Sequence, residues 1–248
     1  MKIEVSKVGI RPTPPNILLL KSETIVGAHY EKLRLDAISI SACHLKQCVF
    51  DDVHAESVNL GGGLSQSTYE DCFFSNCDFI FGAVGNVRLQ NCRFRRCNLT
   101  NLVSGTLEVV GCTFEDTRIK RGAFHATSSD LALYLPVRDR NEFYDNDFSS
   151  AKLVDVDFRA GIDLYAQRLP TGESYIFVGD TCQTAALAQI LVAQDLRPGE
   201  SARLKSTISL LKFYCSTGQK QQLLATQTLG SVAKHIREAL GEICAKTR

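Results

Sequence analysis

The sequence predicts a mainly β chain: a β-helix with four short sides per coil, followed by a C-terminal α-helical region. Three observations carry this. Apolar residues recur every five positions through most of residues 31–165, four such pentads make a second period of twenty, and past Thr184 both give way to helical spacing. Neither a 3.6-residue helix nor a sustained two-residue alternation generates a period of five.

The first frame has centres at Leu35, Ile40, Leu45, Phe50, Ala55 and Leu60, with Leu33, Ile38, Cys43, Cys48, Val53 and Val58 two residues before them. Residues 61–70 interrupt it and shift the frame by one. It resumes at Phe74, Phe79, Val84, Leu89, Phe94, Leu99, Ser104, Val109, Phe114, Ile119 and Phe124, with Cys72, Cys77, Gly82, Cys92, Cys97 and Cys112 among the partners. A second interruption, 125–140, precedes Phe143, Phe148, Leu153 and Phe158. Each pentad reads as one side of a square coil, its centre pointing to the axis and its partner packed inward beside it. Four sides crowd one axis, so the partner file is small. At a period of twenty, Phe74, Phe94 and Phe114 form one inward file and Cys72, Cys92 and Cys112 another. A buried Leu or Phe contributes about 1.5–3 kcal/mol, so one coil cannot fold alone but a stack can.

The outward residues agree with that register. Stacking at twenty sets Glu108 over Arg88, Glu115 over Arg95, Asp116 over Arg96, and Arg118 over Asn98 and Asp78. Exposed pairs of this kind are worth only about 0–1 kcal/mol each. They serve here as evidence of alignment.

Composition sets the outer bounds. Hydrophobic residues at 44% and charged residues at 22% suit a soluble folded chain with its own core. The N-terminal apolar run Ile17–Leu20 is too short for a signal sequence or a membrane span, so a cytoplasmic chain without a membrane span is expected. Of the ten cysteines, the pairs Cys43/Cys48, Cys72/Cys77 and Cys92/Cys97 have four residues between them, wider than zinc-ribbon pairs. Small, reduced, buried thiols are the expected state. The net charge of +1 is unevenly spread: residues 31–160 carry 14 Lys/Arg against 18 Asp/Glu, a net of −4, and residues 183–248 carry 9 against 4, a net of +5.

Past Gly161 the pentads fade. Residues 174–178 read as a strand. Three helical stripes follow: Leu187, Ile190 and Leu191; then Leu204, Ile208, Leu211 and Cys215, opened by Pro198; then Leu229, Val232, Ala233, Ile236, Leu240 and Ile243 on a helix from about Gln219 to Lys246. The domain reading is a lead-in or cap at 1–30, the β-helix at 31–165, and a strand with about three helices at 166–248. The third stripe must be covered, since soluble chains avoid long exposed apolar faces. Three covers stay open: the end of the β-helix, the two preceding helices, or a second copy of the chain. Leu229, Val232, Ile236, Leu240 and Ile243 are therefore the candidate partner-binding residues, and a homodimer through the C-terminal helices is one expectation.

No catalytic, metal or cofactor set stands out. Gly61-Gly62-Gly63-Leu64-Ser65-Gln66 lacks the Gly-Lys-Ser/Thr ending of a phosphate loop. His44, His54, His125 and His235 lack partners at metal or triad spacing. Asp145, Asp147, Asp155 and Asp157 alternate with inward residues and read as a solvated face. The basic residues Arg88, Arg93, Arg95, Arg96, Arg118, Lys120 and Arg121 are partly offset by acidic neighbours. The chain has no Trp for base stacking, so nucleic acid is not expected as a partner.

Asn76-Cys77-Asp78-Phe79-Ile80, Asn91-Cys92-Arg93-Phe94-Arg95, Arg96-Cys97-Asn98-Leu99-Thr100 and Gly111-Cys112-Thr113-Phe114-Glu115 resemble the A(D/N)LXX motif of the pentapeptide-repeat family. The resemblance covers roughly residues 30–125 and 141–160. It departs from the family in using Cys for Ala unusually often and in the two interruptions. It implies a right-handed quadrilateral β-helix and says little about function. The expected role is a non-enzymatic scaffold for a protein partner of unstated identity. The alternative implied by the resemblance is a DNA-mimicking, topoisomerase-binding protein of drug or toxin resistance. A net of −4 is small beside the roughly one charge per 1.7 Å that DNA carries.

Overall fold

The computed structural model describes residues 16–128, 138–192 and 198–246. The chain divides into two compact units, Met1–Val156 with Tyr165–Pro170, and Asp157–Leu164 with Thr171–Arg248. The first is a solenoid of parallel β-sheets and the second a small α/β unit.

Three parallel sheets line the solenoid. One has six strands, from Thr24–Val26 and His44–Lys46 through Ser67–Glu70, Val87–Gln90 and Leu107–Val110 to Phe143–Tyr144. Another has five: His29–Glu31, Val49–Asp51, Phe73–Ser75, Arg93–Arg95 and Thr113–Glu115. The third has eight, several of them long enough to supply two sides of the coil. In Arg34–Ser41 the buried residues are Leu35, Ile38 and Ile40, a single break in strand alternation that marks the corner between those sides. The twenty-residue register is explicit, as in Arg93↔Thr113 with Phe94↔Phe114, and Val87↔Leu107. Corners are turned by residues in the left-handed region, among them Gln47, Asp52, Asp71, Asn76, Asn91, Arg96 and Asp116. Asn and Asp tolerate that region better than most residues, which explains their file just before the inward cysteines.

The inward files are continuous. Rings of Tyr30, Phe50, Phe74, Phe94, Phe114 and Phe148 stack at successive centroid distances of 4.6, 4.8, 4.6, 5.0 and 4.6 Å. That is the spacing of hydrogen-bonded strands, so ring stacking and backbone pairing share one repeat. Cys72, Cys92 and Cys112 are each about 1% exposed. The thiols also bond: Cys92 Sγ donates to Tyr69 O (3.3 Å) and Cys77 Sγ to Phe50 O (3.3 Å) in the coil before, and Thr117 Oγ1 does the same to Phe94 O. A thiol thus fills the small-residue file and bonds a strand carbonyl of the coil before, which Ala cannot do. Burial, and then the neighbouring Cys112, push the Cys92 thiol well above its ordinary pKa. Between Ile38 and Leu107 the inward side chains leave a cavity of only about 30 Å³.

The structure corrects several boundaries. The solenoid begins by Ile17, because Leu20 pairs with Ile40, Ile25 with Leu45 and Tyr30 with Phe50; residues 16–30 are a coil, not a lead-in. Ser67–Glu70 is a strand inside the expected 61–70 interruption, with Tyr69 buried between Leu45 and Leu89. Gly82 faces out and Phe81 faces in, because irregularities against His54–Leu60 reset the alternation there. Leu33 and Leu60 are only half-buried. Part of the 125–140 interruption, residues 129–137, lies outside the described residues.

In the second unit, Tyr175–Val178 pairs antiparallel with Gln222–Ala225. Helices α1 (Thr181–Val192), α2 (Pro198–Ser216), the short α3 (Thr226–Leu229) and α4 (Ala233–Lys246) complete it. Residues 222–225 are therefore a strand, and the third long helix starts at Ala233 rather than near Gln219. The core gathers Ile176, Val178, Ala188, Leu204, Leu211, Tyr214 and Ile236. Ile190, read as part of an apolar stripe, is 64% exposed; the side chain of Leu191 lies outside the described residues. Cys215 forms a disulfide with Cys182, so two of the cysteines are not free thiols. The pairing joins two cysteines 33 residues apart on different helices, which no local spacing announces. Closing such a loop is worth about 3–4 kcal/mol by chain entropy.

Two stability measurements test this packing. Phe94→Ala leaves a hole in the middle of the ring file and is expected to cost about 3–5 kcal/mol in urea titration. Phe73→Ala, half-buried with the Arg95 guanidinium 5.9 Å from its ring, should cost much less. Equal losses would refute the inward assignment. Tyr69 has its hydroxyl buried without a hydrogen-bond partner among the described residues, and burial raises its pKa far above the phenol range. Tyr69→Phe removes that hydroxyl and should raise stability by about 1–3 kcal/mol. An unchanged or lower denaturation midpoint would count against it.

Candidate functional site

Both interruptions leave the solenoid at the same corner, between the side carrying Leu60 or Phe124 and the side carrying Tyr69 or Phe143. Lys46 pairs with Glu70 at a step of 24 residues and Val109 with Phe143 at a step of 34, where regular coils step by 20. The insertions lengthen two coils while the strands that follow them, Ser67–Glu70 and Phe143–Tyr144, pair in regular register with the coil before. Gly61 and Gly85 make this corner possible. A Cβ on Gly61 would stand 2.6 Å from Asn86 O, and one on Gly85 would stand 2.4 Å from Gly61 O. Asn86 N donates to Gly61 O and Ser67 N to Asn86 O, clamping both ends of the first loop.

Glu108 gathers the polar contacts of this corner. It lies on Leu107–Val110 at an outward position, yet its side chain is only 5% exposed. Its Oε2 accepts from Gln66 Nε2 (2.9 Å) and Arg88 Nη1 (3.1 Å) and lies 3.2 Å from Arg138 Nη1, while Oε1 accepts from Glu142 N. Arg88 Nη2 pairs with Glu142 at 2.7 Å. Two carboxylates and two guanidiniums thus balance around the buried Glu108, with Glu142 half-exposed at the edge. Arg138 Nη2 also donates to Asn86 Oδ1 (3.1 Å) and Thr106 O (3.0 Å), and Asn86 Nδ2 donates to Leu64 O (2.8 Å). Asn141 Nδ2 reaches Gly105 O and His125 O, closing the base of the second loop. The first loop and the described end of the second at Arg138 are tied into one network, and Leu64, 70% exposed, stands on the first.

The sequence reading placed Glu108 over Arg88 correctly but as an exposed pair; the loops bury it. Glu115 lies in register with Arg95 yet pairs with Arg93, and Arg95 turns to Phe73. Sequence spacing does not bring Gln66, Asn86, Arg138 and Asn141 to this corner, because their contacts span 16 to 52 residues. Of the expected carboxylate face, Asp147 pairs with Arg168 (2.9 Å), and Asp157 with Arg159 and the Tyr214 hydroxyl. Among the described residues no group of three or more His, Cys, Asp or Glu is placed to hold a metal. His44 bonds Thr68 and lies 3.7 Å from Glu70, neighbours 24 and 26 residues on, and Glu70 is held below the usual carboxylate range by its hydrogen bond from Lys46. His54 pairs with Asp52, whose carboxyl is lowered chiefly by Arg34. A shallow concavity of about 340 Å³ beside them is lined by Asn16, Arg34, Asp36, His54, Glu56 and Asp78.

The candidate partner-binding stripe is not a surface. Leu229, Val232 and Ile236 are at most 5% exposed in the core of the second unit, and Leu240 packs against that core. Of the three covers the stripe allowed, the preceding helices take it, since α1 and α4 pack together. The side chain of Ile243 lies outside the described residues. No helix among the described residues is long and apolar enough to cross a membrane.

No protein-family model matches the chain, and no curated protein matches it.

Glu108→Ala leaves Arg88 and Arg138 without their shared carboxylate. Losing one partner of a buried pair costs about 3–5 kcal/mol. The expected readouts are a lower melting temperature and faster amide exchange at residues 62–66. Exchange at 62–66 unchanged from the unaltered chain would show that Glu108 does not hold the loop.

Proposed function

We propose that this chain is a non-enzymatic interaction scaffold, a pentapeptide-repeat-like rod that offers a protein partner the Gly61–Gln66 loop, fixed at the corner where the second interruption also begins and ends. One observation carries the reading: the loops emerge over the same corner and are joined through Glu108 and Asn86, with Leu64 held exposed on an anchored backbone. Anchoring removes the ordering cost that a free loop meets on binding. The solenoid interior supports a structural role, since its inward positions are spent on packing. Its outer rungs favour the scaffold over the DNA-mimic alternative, because cations and anions alternate along them, as in Lys46–Glu70, Arg93–Glu115 and Arg168–Asp147.

Excising Gly62–Ser65 returns that coil to twenty residues and is the direct test. The shortened chain should keep its melting transition while losing the partner that the intact chain captures from its own cells, identified by mass spectrometry. Capture of the same proteins by both chains would reject the loops as the binding element. Turnover of a substrate by the purified chain would reject the scaffold reading altogether.

A further inference from the structure

We infer that the Cys182–Cys215 disulfide is an exchange site for low-molecular-weight thiols, and thereby a redox-controlled clamp on the C-terminal unit. Among the described residues, two cysteine populations differ in access. Cys43, Cys48, Cys72, Cys77, Cys92, Cys97 and Cys112 are free and buried. Cys182 is exposed and Cys215 half-buried, so the Cys182 end of the bond is the more accessible one. Exchange requires a thiolate to reach a disulfide sulfur, and access decides which sulfur it reaches.

The position of the bond gives exchange a consequence. Cys182 lies in the first turn of α1 and Cys215 in the last turn of α2. The chain leaving α2 runs directly into Gln219, whose Oε1 accepts from Gly161 N and Ile162 N (both 3.0 Å) and whose Nε2 donates to Ile162 O (2.9 Å). Thr181 Oγ1 donates to Gln219 O at 2.7 Å, and Thr181 N to Lys220 O. The start of α1, the exit of α2 and the segment Gly161–Ile162 therefore meet at one joint, and the disulfide crosses it.

The chemistry balances with a thiol such as glutathione as reductant. Its thiolate attacks Cys182 Sγ, a new S–S bond forms there, and the Cys182–Cys215 bond breaks with its electron pair going to Cys215, which takes a proton from water. A second glutathione attacks the mixed disulfide, releasing oxidised glutathione and leaving two protein thiols. The reverse sequence, driven by oxidised glutathione, closes the clamp. Backbone amides in the first turn of α1 favour a thiolate at Cys182, which makes it the sulfur that re-engages first.

The test uses the folded full-length chain in glutathione buffers of graded reduced-to-oxidised ratio, with alkylation, digestion and mass spectrometry. Expected are opening of Cys182–Cys215 without denaturant, no alkylation of the seven solenoid thiols, and melting of the helical unit roughly 10 °C lower when reduced. Amide exchange at residues 161–164 and 181–184 should rise with opening. A pair that opens only in denaturant, that fails to close in oxidised glutathione, or whose opening leaves melting unchanged overturns the proposal. Single variants keep the assignment testable: Cys215→Ser should take up oxidised glutathione at Cys182 about tenfold faster than Cys182→Ser does at Cys215. Equal rates would remove Cys182 as the sulfur that re-engages first.

Discussion

Everything in the solenoid depends on one coil resting on the next. A coil has no core of its own. Its inward residues become buried only because the coils on either side repeat the same shape one strand spacing away. The ring file from Tyr30 to Phe148 shows the constraint most directly. Ring stacking, the backbone ladder and the thiol-to-carbonyl bonds run along the same direction with the same repeat, so a change in any one is transmitted to its neighbours above and below.

That shared repeat explains what the sequence reveals and what it conceals. Positions repeated many times are legible: the files of Phe74, Phe94 and Phe114 and of Cys72, Cys92 and Cys112 follow from period alone. The ends of the pattern are less so. Leu20, Ile25 and Tyr30 continue the five-residue frame backwards from Leu35, but Glu23 occupies a small-residue position and hides it. Tyr69 belongs to the second frame, but its partner position holds Ser67, whose hydroxyl is buried and accepts from Cys43 N. A polar residue satisfied by the backbone looks, in sequence, like a break in the solenoid.

The loop-bearing corner was concealed for a different reason. Periodicity reports which way a residue points along a strand, and it correctly points Glu108 outward. It does not report what later folds over that position. Arg138 arrives from 30 residues downstream and Gln66 from 42 upstream, and together they turn a surface carboxylate into a buried one. The disulfide and the packing of Ile236 in the second unit are long-range in the same sense. Helical spacing identified the apolar face, and only the fold chose among the surfaces able to cover it.

The shared exit corner bears on how such a chain can change over generations. A segment that starts and ends at one corner adds nothing to the rungs, and the entropy of closing it grows only slowly with its length. The first insertion lengthens its coil by four residues and the second by fourteen, yet Lys46↔Glu70 and Val109↔Phe143 pair as any other rungs do. Mutation can therefore lengthen, shorten or rewrite what hangs from that corner while the coils stay fixed. Those two segments are where descendants of this chain are free to diverge, and where a foreign peptide could be spliced in without rebuilding the coils beneath it.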